Sequence, residues 1–370
     1  MREDWKIKGF EDCLLKVKKQ KAVKSKNYLD NGLYPIVSQE SDLISGYTND
    51  EKILYKHEKP VVIFGDHTKN IKYVDFDFVV GADGVHILYV KDDILPKFFY
   101  YELCSIQLRN LGYARHYKLL KEKEIGYPNL SEQERIVSLL DTQFAKIDAL
   151  KANAATQLQA AKDLFQAALK QLLTPKDGWE EKKLCELCSI SGEYGLNEAS
   201  TTYNGIRYLR ITDITDNGDL NDDKVSAIHN SDRKQSKLIE GDILFARTGA
   251  TVGKTLVYRE DFGDCEFAGY LIRYRTNPNV ILPRYLFYLT HSNNYYKWVA
   301  ENQAAAAQPN ISAQKYNNLI ISFPSLPEQE RIAARLDAIS EKVKALQANY
   351  DQTITLCNDL KQSLLKSIFA

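Results

Sequence analysis

The chain has 370 residues, 44% of them hydrophobic, with 49 basic side chains against 49 acidic ones and a formal net charge of zero. That length can build two cores with connecting segments, and the charge balance excludes a bulk electrostatic footprint for nucleic acid, so any such affinity must come from local patches or from a partner. No apolar run reaches a membrane span, Met1 to Trp5 is no signal peptide, and six scattered cysteines suit a reducing, cytoplasmic setting rather than a disulfide framework.

In chain order, residues 1–128 read as a first globule. It opens with Trp5 and a lysine stretch, Lys16, Lys18, Lys19, Lys21, Lys24 and Lys26, uninterrupted by acid. Short apolar pieces bounded by turn residues predict strands at Ile53–Tyr55, Val61–Phe64, Phe76–Val80 and Val85–Val90. A helical piece follows from Pro96 to Leu103, then a polar, aromatic loop from Asn110 to Lys118.

Residues 129–174 contain neither glycine nor proline and predict one long helix, with Ser131 and Glu134 spaced as a capping box. Its apolar positions alternate three- and four-residue steps through Ile136, Leu140, Ile147, Leu150, Leu158 and Leu172, a seam of coiled-coil type. Thr174 to Gly178 is a breaker. Residues 175–326 form a second globule that repeats the order of the first loosely: Trp179 mirrors Trp5, Asp242–Ala246 mirrors Val61–Gly65, and Leu282–Tyr288 mirrors Leu95–Tyr101. Residues 327–370 close the chain with a second seam, Ile332, Leu336, Ile339, Val343, Leu346, Leu360 and Leu364, and with Pro327 where a helix start needs no free N–H.

The two helices carry one motif. Tyr127-Pro-Asn-Leu-Ser-Glu-Gln-Glu-Arg-Ile136 returns 196 positions later as Phe323-Pro-Ser-Leu-Pro-Glu-Gln-Glu-Arg-Ile332. A fixed-offset repeat governs the architecture. The expected class is α+β: two globules with short-stranded β-sheets, separated by two long antiparallel coiled-coil helices, in a pseudo-two-fold internal repeat. Connectivity makes the pair antiparallel and returns residue 370 close to residue 1. Two independent amphipathic helices, each packed on its own globule, are the plainer alternative.

Gly249 to Thr255 resembles a phosphate-binding loop, but Thr248 stands where that motif needs its first glycine, and the flanks read as strand–turn–strand. Cys185-x-x-Cys188 has no second ligand pair nearby. No catalytic, metal or cofactor motif is recognised. What remains is polar chemistry suited to base edges and phosphates: Lys69, Lys72, Arg109, Tyr113, Arg115, His116, Tyr117 and Lys118 in the first globule, and Arg247, Thr248, Lys254, Gln303, Gln308, Asn310, Ser312 and Lys315 in the second.

The doubled Pro-x-Leu-x-Glu-Gln-Glu-Arg-Ile motif, with the segment Gly241 to Thr255, resembles the specificity subunits of Type I restriction–modification enzymes. The resemblance implies two target-recognition domains reading the halves of a bipartite, asymmetric site on double-stranded DNA, and helices that set the gap and dock two DNA adenine methyltransferase subunits. It implies no catalysis in this chain: S-adenosylmethionine and ATP belong to partner subunits, motor–nuclease subunits among them. A coiled-coil adaptor joining proteins, and a nucleotide-dependent enzyme built on Gly249–Thr255, are the rival classes.

Overall fold

The computed structural model describes residues 4–112, 114–228, 237–303 and 309–369. Among these, the α-helices are α1 (Pro96–Ser105), α2 (Tyr117–Lys121), α3 (Leu130–Leu173), α4 (Pro283–Leu289), α5 (Asn293–Asn302), α6 (Ala313–Asn317) and α7 (Leu326–Phe369). The two segments expected to be long helices are α3 and α7, 44 residues each. The chain divides into two compact units, Met1–Ala154 with Tyr350–Ala370, and Ala155–Asn349. Each unit therefore holds one half of α3 and one half of α7.

In the first unit, Lys6–Gly9 pairs antiparallel with Glu124–Tyr127 and ties the start of the globule to the entry of α3. An antiparallel sheet runs in the order Leu14–Leu15, Val85–Val90, Val61–Gly65, Ile71–Val74. Helix α1 shares its core through Phe98, Phe99 and Leu103. A second sheet orders Gly46–Thr48, Tyr34–Val37, Phe78–Val80 and Leu54–Tyr55, its two middle strands parallel.

The second unit repeats the frame. Glu180–Lys183 pairs with Ile320–Phe323, and the sheet order Cys188–Tyr194, Leu271–Thr276, Ile243–Ala246, Thr255–Val257 matches that of the first unit strand for strand. Trp5 lies 5.8 Å from Phe98 and Trp179 lies 6.4 Å from Tyr285, ring centre to ring centre, in corresponding places. The units differ in what the frame carries. The second has small sheets of Ser200–Thr202 with Val225–Ala227 and of Arg207–Leu209 with Cys265–Phe267. It also has α5, in a stretch where no element is expected. The side chain of Ser292 caps α5 by accepting from the Tyr295 N–H (3.3 Å), and burial of Tyr295 and Val299 outweighs a poor intrinsic propensity.

The repeated motif is a clasp. Gln133 is fully buried; its Nε2 donates to the carbonyls of Asp93 (3.0 Å) and Pro128 (2.9 Å), and its Oε1 accepts from the Leu95 N–H (2.8 Å). Gln329, equally buried, donates to Val280 (3.0 Å) and Pro324 (2.9 Å) and accepts from Leu282 (2.9 Å). Each glutamine thus locks the first turn of a long helix to the loop that launches α1 or α4. A turn and more along, Asp141 accepts from the Tyr101 hydroxyl (2.5 Å) and Lys97 (2.8 Å), and Asp337 from Tyr288 (2.5 Å) and Arg284 (2.6 Å). The helix start departs from expectation in one detail. Asn129, not Ser131, is the cap, accepting from the Glu132 N–H at 3.0 Å, because α3 begins at Leu130 and Ser131 already lies inside its first turn.

Within each unit the helix halves pack as an antiparallel pair. In the first, Lys151 donates to Asn358 (2.5 Å) and Lys361 to Asp148 (2.6 Å), while the Phe369 ring reaches Trp5 (6.2 Å). In the second, Leu169 and Leu172 share a core with Ile332 and Leu336. Ile136, Leu140, Ile147, Leu158, Leu172, Ile332 and Leu336 are buried, and Ile339, Val343, Leu346 and Leu364 are half-buried. Leu150 and Leu360 are corrections: they are 56% and 49% exposed and take no part in the seam. The buried stripe steps from Ile147 to Lys151 and from Cys357 to Lys361, by four residues rather than three. A straight α-helix drifts steadily off a strict coiled-coil repeat, and the drift turns both leucines outward.

Gln329→Ala should destabilise the chain by roughly 2–4 kcal/mol in denaturant titration, since it orphans a buried N–H and two carbonyls; a change within ±0.5 kcal/mol would refute the clasp. A second outcome concerns Glu102 on α1, whose Oε1 accepts from the Gly126 N–H (2.8 Å) while its Oε2 has no partner among the described residues. Burial pushes this carboxyl up to about 8. The folded state therefore holds a proton that the unfolded chain releases near 4.5, and stability falls as the pH rises from there to about 8. Glu102→Gln should remove that decline, a difference on the order of a few kcal/mol at pH 9 given about 1.4 kcal/mol per tenfold change in acidity. Parallel stability profiles for the two chains between pH 5 and 9 would contradict it.

Candidate nucleic-acid interface

In each unit the loop that leaves the central buried strand grips the loop that precedes the short helix. Asp66 follows Val61–Gly65; its N–H donates to Gly84 (2.7 Å) and its carbonyl accepts from the His116 N–H (2.9 Å). Arg247 follows Ile243–Ala246; its N–H donates to Tyr270 (3.1 Å) and its carbonyl accepts from the Ile311 N–H (2.9 Å). The backbone arrangement is shared, while the side chains at the shared position are of opposite charge.

In the first unit the Asp66 carboxylate, 3% exposed, accepts from the Tyr117 N–H (2.8 Å) and starts α2; its other oxygen lies 3.4 Å from His86 Nε2 and 3.8 Å from Arg115 Nε. His116 is fully buried. The Leu111 N–H donates to its Nε2 (3.0 Å), so Nδ1 carries the hydrogen and donates to the Asp66 carbonyl (3.0 Å). Tyr117 stacks on His86 at 3.8 Å between ring centres. The Lys72 ammonium is buried against the Asp42 carbonyl, and desolvation lowers its pKa. His116 and Lys72 therefore shape the site from inside rather than meeting a ligand, a correction to the reading of these two residues from sequence, while Tyr117 is half-buried and lines the groove described next. Arg109, Arg115 and Lys118 are exposed, and Lys69 is half-buried in a left-handed turn (φ 61°). Arg115, His86, Lys16, Lys18 and Lys19 line a groove of about 770 Å³ that Asp66 also borders.

In the second unit Arg247, Thr248, Asn310 and Ser312 come together: Thr248 bridges to Asn310, the Gly249 N–H donates to Pro309 (3.0 Å), and Ser312 caps α6. The Arg247 guanidinium lies 4.9 Å over the Tyr194 ring, and the Tyr194 hydroxyl accepts from the Ala313 N–H (3.0 Å). Lys254 pairs with the exposed Asp216 (2.6 Å), and Lys315, itself exposed, donates to the Asn302 carbonyl (2.5 Å). Thr248 is 6% exposed and its hydroxyl is buried without a partner among the described residues, so it does not meet a ligand in this arrangement. Gln303 is half-buried just past α5. Tyr113 and Gln308 lie outside the described residues.

The glycine-rich segment joins two antiparallel strands, Ile243–Ala246 and Thr255–Val257, through a 3₁₀ turn at Gly249–Thr251. Gly253 has φ 88°, and a Cβ there would come within 2.9 Å of Val299. The glycines serve a tight turn, and no helix opens behind them as a phosphate loop requires. Burial pushes the Cys188 thiol up to about 12, and among the described residues no group of three or more His, Cys, Asp and Glu side chains is placed to hold a metal. No helix among the described residues is long and apolar enough to cross a membrane.

Sequence reading missed Asp66, His86 and Tyr194. The signal for Asp66 was available: Val62-Ile-Phe-Gly-Asp66 matches Ile243-Leu-Phe-Ala-Arg247 one residue beyond the mirrored strand.

One frame used twice, each copy ended by the same glutamine clasp and dressed with unlike polar loops, defines a tandem recognition-domain protein. Residues 2–160 and 176–356 match the Type I restriction modification DNA specificity domain, and the chain belongs to that family, whose role is DNA recognition in Type I restriction–modification systems. It is 24% identical over 319 residues to the Type I restriction enzyme EcoBI specificity subunit of Escherichia coli, covering 75% of this chain and 66% of that one. It is 25% identical over 367 residues to the EcoR124I/EcoR124II specificity subunit of the same species, covering 90% and 86%. A solved chain from work on complex assembly and conformational transition of the type I R-M system superposes with a TM-score of 0.73 at 20% identity, over 100% of this chain and 98% of that one. The HsdS subunit of Thermoanaerobacter tengcongensis gives 0.50 at 19% identity, over 99% and 97%.

Thr248→Val should leave recognition unchanged and raise stability by about 1 kcal/mol, since it removes a buried hydroxyl with no partner. Loss of stability in a thermal melt would show that the hydroxyl is used.

Proposed function

We propose that the chain is the DNA-recognition subunit of a Type I restriction–modification complex in which each domain reads one half of a bipartite, asymmetric site on double-stranded DNA. The observation that carries this reading is one backbone frame used twice, holding Asp66 and Arg247 alike, whose exposed polar groups differ between the copies, Arg109, Arg115 and Lys118 in the first and Asn310 in the second, which asks for two unlike half-sites. Continuous α3 and α7, each about 66 Å long at ~1.5 Å per residue, act as the spacer that fixes the gap. Readers on one face of DNA favour separations near one helical turn, about 10 bp.

The chain is a non-catalytic subunit. Two DNA adenine methyltransferase subunits dock on the helices and carry S-adenosylmethionine; motor–nuclease subunits supply ATP-driven translocation and cleavage. Large apolar side chains exposed on α3 and α7, Leu139, Leu150, Leu164, Leu356 and Leu360 among them, support docking there. A coiled-coil adaptor without DNA contact has no observation in its favour.

The test is methylation-sensitive sequencing of DNA modified by the assembled complex. Exchanging residues 175–323 for another recognition domain should change one half-site, and adding or deleting one or two turns in both long helices should change the gap alone. An exchange that alters both half-sites, or a complex that methylates no defined sequence, would overturn the reading.

A further inference from the structure

We propose that the two recognition domains have unequal tasks: the first carries a ledge of lysines, Lys16 to Lys26, that holds DNA phosphates at a place where the second has no cation, and so anchors the DNA for both. This inference rests on the DNA-recognition reading above and goes beyond it by placing the chain's own backbone contacts on one domain.

The ledge has a counterpart in the repeat, and the counterpart lacks its charge. In each unit a 3₁₀ turn, Phe10–Cys13 or Leu184–Leu187, leads into the edge strand of a four-stranded sheet. Leu14 pairs there with Val90, and Cys188 with Thr276. From Leu14 to Leu29 the first domain has six lysines and no acid. From Cys188 to Tyr203 the second has neither lysine nor arginine, and carries Glu193 and Glu198. One place in the frame is thus strongly cationic in one copy and without a cation in the other.

The charge is unspent, while the backbone beneath it is fixed. Lys16, Lys18, Lys19, Lys21, Lys24 and Lys26 are all exposed, and among the described residues none of their ammonium groups meets a carboxylate. Lys8, Lys59, Lys97 and Lys121 of the same unit each do, at 2.7–2.9 Å. Crowded like charges repel one another and cost stability, and binding along a polyanion relieves that cost. At one end Leu15 is paired with Tyr89. Further on, the Val23 N–H donates to the Val80 carbonyl (2.9 Å), and the Val23 carbonyl accepts from the Ala82 N–H (2.7 Å). Val17 and Ala22 are half-buried between these ties, Ala22 against the core that holds Val37 and Val80. Apolar residues of the ledge turn inward and its lysines face water.

Position ties the ledge to the reading surface. Lys16, Lys18 and Lys19 line the groove of about 770 Å³ together with Arg115, His86 and Tyr117. Of the carboxylates that border it, Asp66 is buried and Glu11 is held by Lys121 (2.7 Å), which leaves Asp83 exposed at the rim. An ammonium is a point charge on a flexible stem, suited to phosphate oxygens and without the planar fork that reads a base edge. The ledge therefore holds DNA, while the loop beside it is left to discriminate.

The experiment uses the full chain assembled with its methyltransferase subunits and measures equilibrium DNA binding across a salt series. Lys16→Gln, Lys18→Gln and Lys19→Gln, combined in one chain, should flatten the slope of log affinity against log salt by about 2 to 3, at roughly 0.9 per phosphate contact, and weaken binding on the order of 100-fold at 0.1 M salt. The loss should be equal on matched and scrambled duplexes, with both methylated half-sites unchanged. A duplex cut back to the first half-site should still show it, and one cut back to the second should not. The corresponding triple Arg variant keeps the charge and should keep the slope, which separates lost charge from a folding defect. An unchanged slope in the Gln variant would overturn the proposal, as would a loss confined to one base position, the signature of a base contact. Equal losses on the two cut-back duplexes would overturn the unequal division. Detachment of the methyltransferase subunits, with the DNA affinity of intact complexes unaltered, would make the ledge a protein contact and sink the proposal too. A wild-type complex that methylates no defined sequence would instead fail the recognition reading on which the proposal rests.

Discussion

A buried glutamine amide whose bonds all go to backbone atoms decides where each long helix leaves its globule. Gln133 and Gln329 each join two carbonyls and one N–H, inside a site that water does not reach. In a low-dielectric interior such a network is strong when complete and costly when broken. Because its partners are main-chain groups, the side chains of the gripped loop are free to change. Asp93 stands at that loop in one copy and Val280 in the other, and the bond to the carbonyl is 3.0 Å in both. This explains in physical terms why the helix starts match closely across the repeat while the globules match poorly. The geometry is carried by a few invariant side chains and by backbone, and the rest of each globule can vary without moving the helix.

The same separation operates at the polar loops. Backbone bonds from Asp66 and Arg247 to the facing loop are equivalent, so the frame places both side chains alike while imposing no chemistry on them. The supporting residues then diverge with the reader. Around Asp66 the loop is braced by a buried histidine, His116, and by the Tyr117–His86 stack; around Arg247 it is braced by Ile311 in the core and by Tyr194. A recognition frame built in this way can change its target one loop at a time.

Much of the architecture was legible in the sequence because it rests on long-range periodicity and on punctuation. Helices expected over 129–174 and 327–370 are Leu130–Leu173 and Leu326–Phe369, and the expected strand Val85–Val90 is found with those bounds. The seam failed at Leu150 and Leu360, where a three-step was assumed and a straight helix takes a four-step. Helix α5 was invisible because its aromatic, asparagine-rich sequence forms a helix only once Tyr295 and Val299 are buried. The candidate site was half legible. A polar residue in a loop looks the same in sequence whether it faces water or the interior, so Lys72, His116 and Thr248 were grouped with true surface groups. A search for donors alone also passes over Asp66, although aligning Val62–Asp66 with Ile243–Arg247 would have placed it opposite Arg247 in the repeat.

The balanced charge acquires a meaning from these contacts. Lys254, Lys315 and most arginines of the second domain are neutralised or tied down within the chain. Non-specific affinity for DNA grows with the number of phosphates a protein neutralises, and a domain that ties most of its arginines to its own carboxylates and carbonyls keeps its share of that term small. On the proposed reading, partner subunits supply most of the phosphate contacts and hence the affinity, while the unlike polar loops of the two domains supply the discrimination. Dividing the labour in this way raises the ratio of specific to non-specific binding, because the reader cannot hold DNA tightly at a sequence it does not recognise. Neutrality of the whole chain is then a condition for selectivity rather than an argument against DNA binding.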